Sequence, residues 1–173
     1  VIGVIKQENS MILLLDFERI MVEINPESGI QIEEVRKLGE RERSEKRIVV
    51  AEDSPLLRKL LFETLNEAGY VNVDFYENGR DALDYLESLV AEGKDVTKEV
   101  QLIVTDIEMP QMDGHHLTKQ VKSNARLSAI PVIIFSSLIT DDLRHKGDEV
   151  GAEDQISKPE IAELILRIDQ LIL

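Results

Sequence analysis

The 173-residue sequence predicts a doubly wound α/β domain, a five-stranded parallel sheet with helices on both faces, preceded by a partial β-hairpin and helix. Three observations carry this. Short, continuous apolar runs recur without a polar face: IVVA at 48–51, LIVT at 102–105 and PVIIFS at 131–136. After each, a segment follows whose apolar residues fall at helical rather than alternating spacing. Strands buried on both faces and alternating with amphipathic helices imply a parallel sheet, and right-handed crossovers wind it into a sandwich.

The elements follow in order. VIGVIK (1–6) and MILLLD (11–16) read as a hairpin around QENS. Asp16 can cap a short helix with Phe17, Ile20, Met21 and Ile24 on one side, stopped by Asn25-Pro26, and Ile32, Val35 and Leu38 continue a helical spacing. Two strands and a helix do not enclose a core, so this piece needs the remainder of a domain or a second copy of the chain. Residues 37–46, KLGERERSEK, read as a solvated, charged linker or the frayed end of a helix. Beyond it, Ser54-Pro55 is an N-cap and first helical position for 56–69, where Leu57, Leu61 and Leu65 share a face and Gly69 stops the helix. VNVDFY is the next strand, Asn78-Gly79 a turn, and 80–93 a helix. The stretch 91–99 lengthens the connection to the third strand. GHHLTKQVKS is helical, DDLRHKGDEVGA a weak helix with a glycine inside it, and DQIS a short fifth strand. Ile161, Leu164, Ile165, Ile168 and Leu171 line the last helix. The expected division is therefore 1–36, a linker at 37–46, and a domain at 47–173.

Composition bounds the function. A net charge of −14 repels polyanions, so nucleic acid is not an expected partner. The absence of cysteine excludes disulfides and thiolate metal sites and fits a reducing, cytoplasmic setting. No apolar run reaches the length of a membrane span, and none is expected to insert. The chain opens at Val1 in an apolar run, which reads as a piece of a longer protein.

Ligands of open α/β sheets bind beyond the carboxyl ends of the strands. Here the first strand ends in Glu52-Asp53, the third in Asp106 with Glu108 two residues on, the fourth in Ser136, and the fifth in Lys158-Pro159. Carboxylates gathered without a counter-ion would repel one another, and some would stay protonated. A hard divalent cation resolves this, and oxygen donors of this kind suit Mg²⁺. The lysine then marks a place for an anion, for which a phosphoryl group fits.

DIEMPQMDG (106–114) resembles the phosphoacceptor loop of two-component receiver domains, with matches at Asp106, Met109, Pro110, Met112, Asp113 and Gly114. Glu52-Asp53, Ser136 and Lys158-Pro159 fall in the family's order, and the resemblance covers 46–173. It implies a flavodoxin-like (βα)5 fold of strand order 2-1-3-4-5 and phosphoryl transfer from a histidine kinase to Asp106. Glu52, Asp53, Asp106 and the Glu108 carbonyl would hold Mg²⁺, Lys158 would pair with the phosphoryl oxygens, and Ser136 would move toward them. The Lys158-Pro159 bond would be cis. Two positions depart from the pattern: Gln155 replaces the aromatic switch residue, and Glu108 places an acid near the attacking water. Of the histidines, His115, His116 and His145 are expected to be exposed, and Met109 and Met112 to pack in the loop.

The N-terminal run resembles the closing strands and helix of a CheW-type coupling domain. A coupling domain followed by a receiver is the arrangement of CheV-type chemotaxis coupling proteins. That resemblance implies an adaptor between chemoreceptors and their kinase, and no enzyme activity beyond its own phosphorylation and dephosphorylation; the open N-terminal segment leaves a homodimer, formed by lending its hairpin to a second copy, as an option. A receiver-shaped scaffold working without phosphorylation is the alternative, and an aspartate-nucleophile phosphohydrolase, which usually has an aspartate where Glu108 stands, is a more distant one.

Overall fold

The computed structural model describes residues 3–7, 10–14, 32–39, 41–158 and 160–173. Strands β1 (Gly3–Gln7) and β2 (Ser10–Leu14) pair antiparallel, Gly3 opposite Leu14, as the hairpin reading expects. The helix expected through Phe17 and Ile24 lies outside the described residues.

The main sheet contains β3 (Ser44–Ala51), β4 (Tyr70–Tyr76), β5 (Leu102–Thr105), β6 (Val132–Ser136) and β7 (Asp154–Ser157). All pair in parallel in the order β4-β3-β5-β6-β7, which is 2-1-3-4-5 counted within the domain. Helices α1 (Ile32–Arg36), α2 (Pro55–Glu67), α3 (Gly79–Ala91), α4 (Val96–Glu99), α5 (Gly114–Ser123), α6 (Asp141–Val150) and α7 (Ile161–Ile172) complete the described elements.

Successive strand side chains point to opposite faces, so each strand feeds two cores. Ile48, Val50, Leu102, Val104, Ile133 and Phe135 pack with α2 and α7. Val49, Ala51, Ile103 and Val132 pack with Leu83 and Leu86 of α3 and Leu117 and Val121 of α5. The strongest anchor is α7, whose Ile161, Leu164, Ile165 and Ile168 are fully buried. At about 1.5–3 kcal/mol each, they contribute on the order of 6–12 kcal/mol before chain entropy is subtracted.

Ser54 caps α2 by accepting from the Leu57 amide, with Pro55 in the first turn, as its sequence predicts. Three local expectations change. Asn78-Gly79 is not a free turn: the Asn78 side chain accepts from the Asp81 amide at 2.9 Å, making it the N-cap of α3. An asparagine oxygen satisfies an orphan helix donor as readily as it turns a chain. β3 starts at Ser44, four residues before the apolar run, because the Ser44 amide donates to Gly69 O at 2.9 Å. Within 91–99 the one-turn α4 buries Val96 in the second core.

Candidate functional site

Ala51 and Thr105 stand opposite each other on adjacent strands, so the residues after them emerge side by side at the sheet's carboxyl edge. The Asp106 amide donates to Ala51 O at 2.9 Å and the Ile107 amide to Asp106 Oδ1 at 2.7 Å, which holds the carboxylate in one orientation. The loop then turns through Gln111 at φ 63°. Asp113 caps α5 by accepting from the His116 amide at 2.7 Å. The Gly114 amide donates to Ile107 O at 3.0 Å. A Cβ on Gly114 would lie 1.9 Å from the Asp106 carbonyl oxygen, so only glycine can close the loop here.

On the next two strands, Ser136 of β6 and Ser157 of β7 pair, and the Lys158 amide donates to Ser136 O at 3.0 Å. This aims the lysine back across the sheet edge. Its Nζ donates to Glu52 Oε2 at 2.7 Å and lies 3.3 Å from Asp106 Oδ2. Glu52 and Asp106 are 1% and 5% exposed, so two carboxyl groups and one amine are buried together. Burial pushes the Glu52 carboxyl up to about 7, with the Asp106 charge adding and Lys158 opposing. Burial also raises Asp53, again with Asp106 adding.

One carboxylate oxygen each from Glu52, Asp53 and Asp106 lies within 4.8 Å of the others. Oxygens about 2.0–2.1 Å from Mg²⁺ sit at most roughly 4.2 Å apart, so sub-ångström movement closes these donors on an ion. The donor set is hard and anionic, and it fits such a cation.

Not every predicted residue joins this group. The Glu108 side chain is exposed and stands apart from the three carboxylates. Ser136 is buried beside Lys158, with its hydroxyl oxygen accepting from the Leu138 amide at 3.2 Å and its own proton free to donate. Gln155 is buried away from the cluster: its amide nitrogen donates to Arg144 O at 2.7 Å and Asp148 Oδ1 at 2.8 Å, both on α6. Pro159 and the expected cis bond lie outside the described residues. Met112, expected to pack in the loop, is buried in the second core.

His115 is corrected. Instead of being exposed it is 1% exposed, with Nε2 3.2 Å from Leu143 O on α6. It shares the inward face of α5 with Thr118, three residues on, where burial lowers its pKa below the ordinary histidine value and the nearby Lys146 charge adds to that. His116 and His145 are exposed. Arg58 was missed. It donates to the carbonyls of Glu52 at 2.8 Å and Asp53 at 2.9 Å, and pairs with Glu77 at 2.9 Å, which fixes the acidic loop. Its signal was present: an arginine one turn into the helix that follows the acidic pair.

A sheet of this order, with an acidic cluster and a lysine at its carboxyl edge, defines a response-regulator receiver. The response regulator receiver domain family matches residues 48–169, and the chain belongs to that family. Among characterised relatives, it is 30% identical over 148 residues to chemotaxis protein CheV3 of Helicobacter pylori, covering 84% of this chain and 46% of that protein. It is 29% identical over 157 residues to CheV2 of the same organism, covering 91% and 48%. The chain thus spans about half the length of these relatives. Among solved structures, the chemotaxis protein CheY4 of Vibrio cholerae superposes with a TM-score of 0.62 at 25% identity, over 75% of this chain and 100% of that one. A receiver domain of a signal transduction histidine kinase from Syntrophus aciditrophicus gives 0.63 at 31% identity, over 73% and 89%.

Proposed function

We propose that this chain is the phosphoacceptor part of a chemotaxis adaptor: Asp106 takes a phosphoryl group from a phosphohistidine of the kinase, and the new charge changes how receptors are coupled to that kinase. The observation that carries the reading is the buried Lys158, held at 2.7 Å from Glu52 and 3.3 Å from Asp106 beside a three-carboxylate cluster. In the transfer an Asp106 carboxylate oxygen attacks phosphorus. The phosphohistidine P–N bond breaks, its electron pair returns to the imidazole, and an acyl phosphate remains. The incoming group is already charged, so positioning and neutralisation do most of the work. Mg²⁺, bound by Glu52, Asp53, Asp106 and the Glu108 carbonyl, would neutralise phosphoryl charge. Lys158 can exchange part of its bond to Glu52 for a phosphoryl oxygen, and the free Ser136 proton can donate to another.

The relation to CheV proteins and the β1–β2 hairpin support reading residues 1–36 as the end of a CheW-like module, with chemoreceptors and their kinase as partners in the cytoplasm. That same open segment could pair two chains into a homodimer. Among the described residues no helix is long and apolar enough to cross a membrane.

Intact mass after incubation with acetyl phosphate tests the chemistry. One Mg²⁺-dependent phosphate should appear on wild type and none on Asp106→Asn. An adduct of equal yield on both proteins, or none on wild type with Mg²⁺ and beryllofluoride binding also absent, would overturn the reading in favour of a phosphorylation-independent scaffold.

A further inference from the structure

The segment that precedes β3 is not a free tether. Val35 of α1 is 1% exposed and belongs to the same apolar cluster as Leu65 of α2, Ala68 at its C-cap, and Leu164 and Ile168 of α7, with Leu38 packed against it. The Leu38 and Gly39 amides close back on Val35 O at 3.0 Å and Arg36 O at 3.2 Å. Arg41 then makes the joint. Its Nε donates to Ala68 O at 2.9 Å, and its guanidinium pairs with Asp169, whose same oxygen accepts the Tyr70 hydroxyl. One guanidinium therefore ties together the end of α2, the start of β4 and the last turn of α7. The Arg41 and Asp169 side chains are 15% and 22% exposed, so this pair is far more enclosed than an ordinary surface bridge.

The helix that holds Arg41 is also the one that leaves the site. Lys158 stands three residues before α7, and Asp169 lies near its far end. The helix is a rod of about 18 Å, seated on one continuous apolar face and tied to the start of β7 by Arg167 Nε, 2.8 Å from Asp154. A displacement at its start is therefore carried to its end rather than absorbed by bending.

We infer that Val35, Leu38 and Arg41 form an intramolecular clasp on the groove between α2 and α7, and that α7 carries the state of Lys158 through Asp169 to Arg41 and so to the module before it. The transmission rests on the phosphoacceptor reading, in which a new anion at Asp106 draws Lys158 toward itself. The clasp itself does not. A solvated linker at 37–46 would leave the preceding module free to reorient. The clasp instead makes part of that stretch an element of the receiver.

Hydrogen exchange on the full chain tests both halves, with wild type, Arg41→Gln and Asp169→Asn each measured with and without Mg²⁺ and beryllofluoride. In wild type, amides of 35–44 should exchange at least about tenfold slower than an unstructured peptide. Either substitution should remove that protection while β5 and β6 keep theirs; Asp169→Asn can still accept from Tyr70, so its loss would isolate the ion pair. Beryllofluoride should slow exchange in 106–114 and shift 35–44 by about fivefold in wild type, but not in Arg41→Gln. Free-peptide rates at 35–44 in wild type would overturn the clasp. A response at 106–114 with none at 35–44 would overturn the transmission alone. No response at 106–114 would remove the phosphoacceptor reading and the transmission with it, while the clasp stands or falls on the two substitutions.

Discussion

Gly147, inside α6, is expected to be destabilised by alanine, against the usual helix preference, and the reason is Gln155. A Cβ at 147 would lie 2.2 Å from Gln155 Oε1 and 2.6 Å from Nε2. The glutamine could swing aside, but its amide nitrogen holds Arg144 O at 2.7 Å and Asp148 Oδ1 at 2.8 Å, and it is 5% exposed. Moving it forfeits one neutral hydrogen bond and one to a carboxylate, about 2–3 kcal/mol together. Replacing a mid-helix glycine returns about 1 kcal/mol, so Gly147→Ala should destabilise by about 1–2 kcal/mol. In a Gln155→Ala background the obstruction is gone, and the same change should stabilise by about 1 kcal/mol. Urea unfolding of the four proteins of this cycle reads the coupling, expected at about 2–3 kcal/mol. The effect is visible because Gly147 is the sole buried residue of α6, which leaves polar contacts to seat it. If Gly147→Ala is neutral or stabilising in the wild-type background, or if the two changes add within about 0.5 kcal/mol, Gln155 does not latch α6 and the reasoning fails.

Two further expectations concern the site. Glu52 rises from 4.5 to about 7 on folding, so the native state holds its proton more tightly than the unfolded chain. That contribution is fully present below pH 4.5 and is lost as pH rises through 7. The metal-free wild type should therefore lose on the order of 3 kcal/mol more than Glu52→Gln between about pH 4.5 and 8. A stability difference that stays flat with pH would sink this. Gly114→Ala, whose Cβ meets the Asp106 carbonyl at 1.9 Å, should cost about 3 kcal/mol and also weaken Mg²⁺ binding, because the carboxylate moves with its own backbone. Unchanged urea midpoint and unchanged Mg²⁺ titration would show that the loop yields without disturbing Asp106.

Much of this protein is legible locally. Strand runs such as LIVT and PVIIFS are short, aliphatic and uninterrupted, so their burial and parallel pairing follow from pattern alone. The helix start at Ser54-Pro55 obeys capping chemistry that acts over three or four residues. The acidic pair, Asp106 and Lys158 could be read because each sits at the end of a recognisable strand, and a parallel sheet brings all its carboxyl ends to one edge. Asn78-Gly79 was less legible, since the same two residues serve a turn or an N-cap and only the following packing decides between them.

What pattern could not supply are relations between residues far apart in the chain. His115 looks exposed from its polar neighbours, and only the seating of α6 against α5 encloses it. Gln155 reads as a missing aromatic until the backbone of α6 is seen to accept its amide. Arg41 lies in a run of charges that periodicity marks as solvated, yet it closes on Asp169, 128 residues later. Local sequence determined the elements, their order and the chemistry offered at the strand ends, because those depend on short-range sterics and apolar periodicity. The tertiary structure alone decided which polar groups became buried partners, because a hydrogen bond or ion pair is set by the distance between two atoms, and the fold sets that distance.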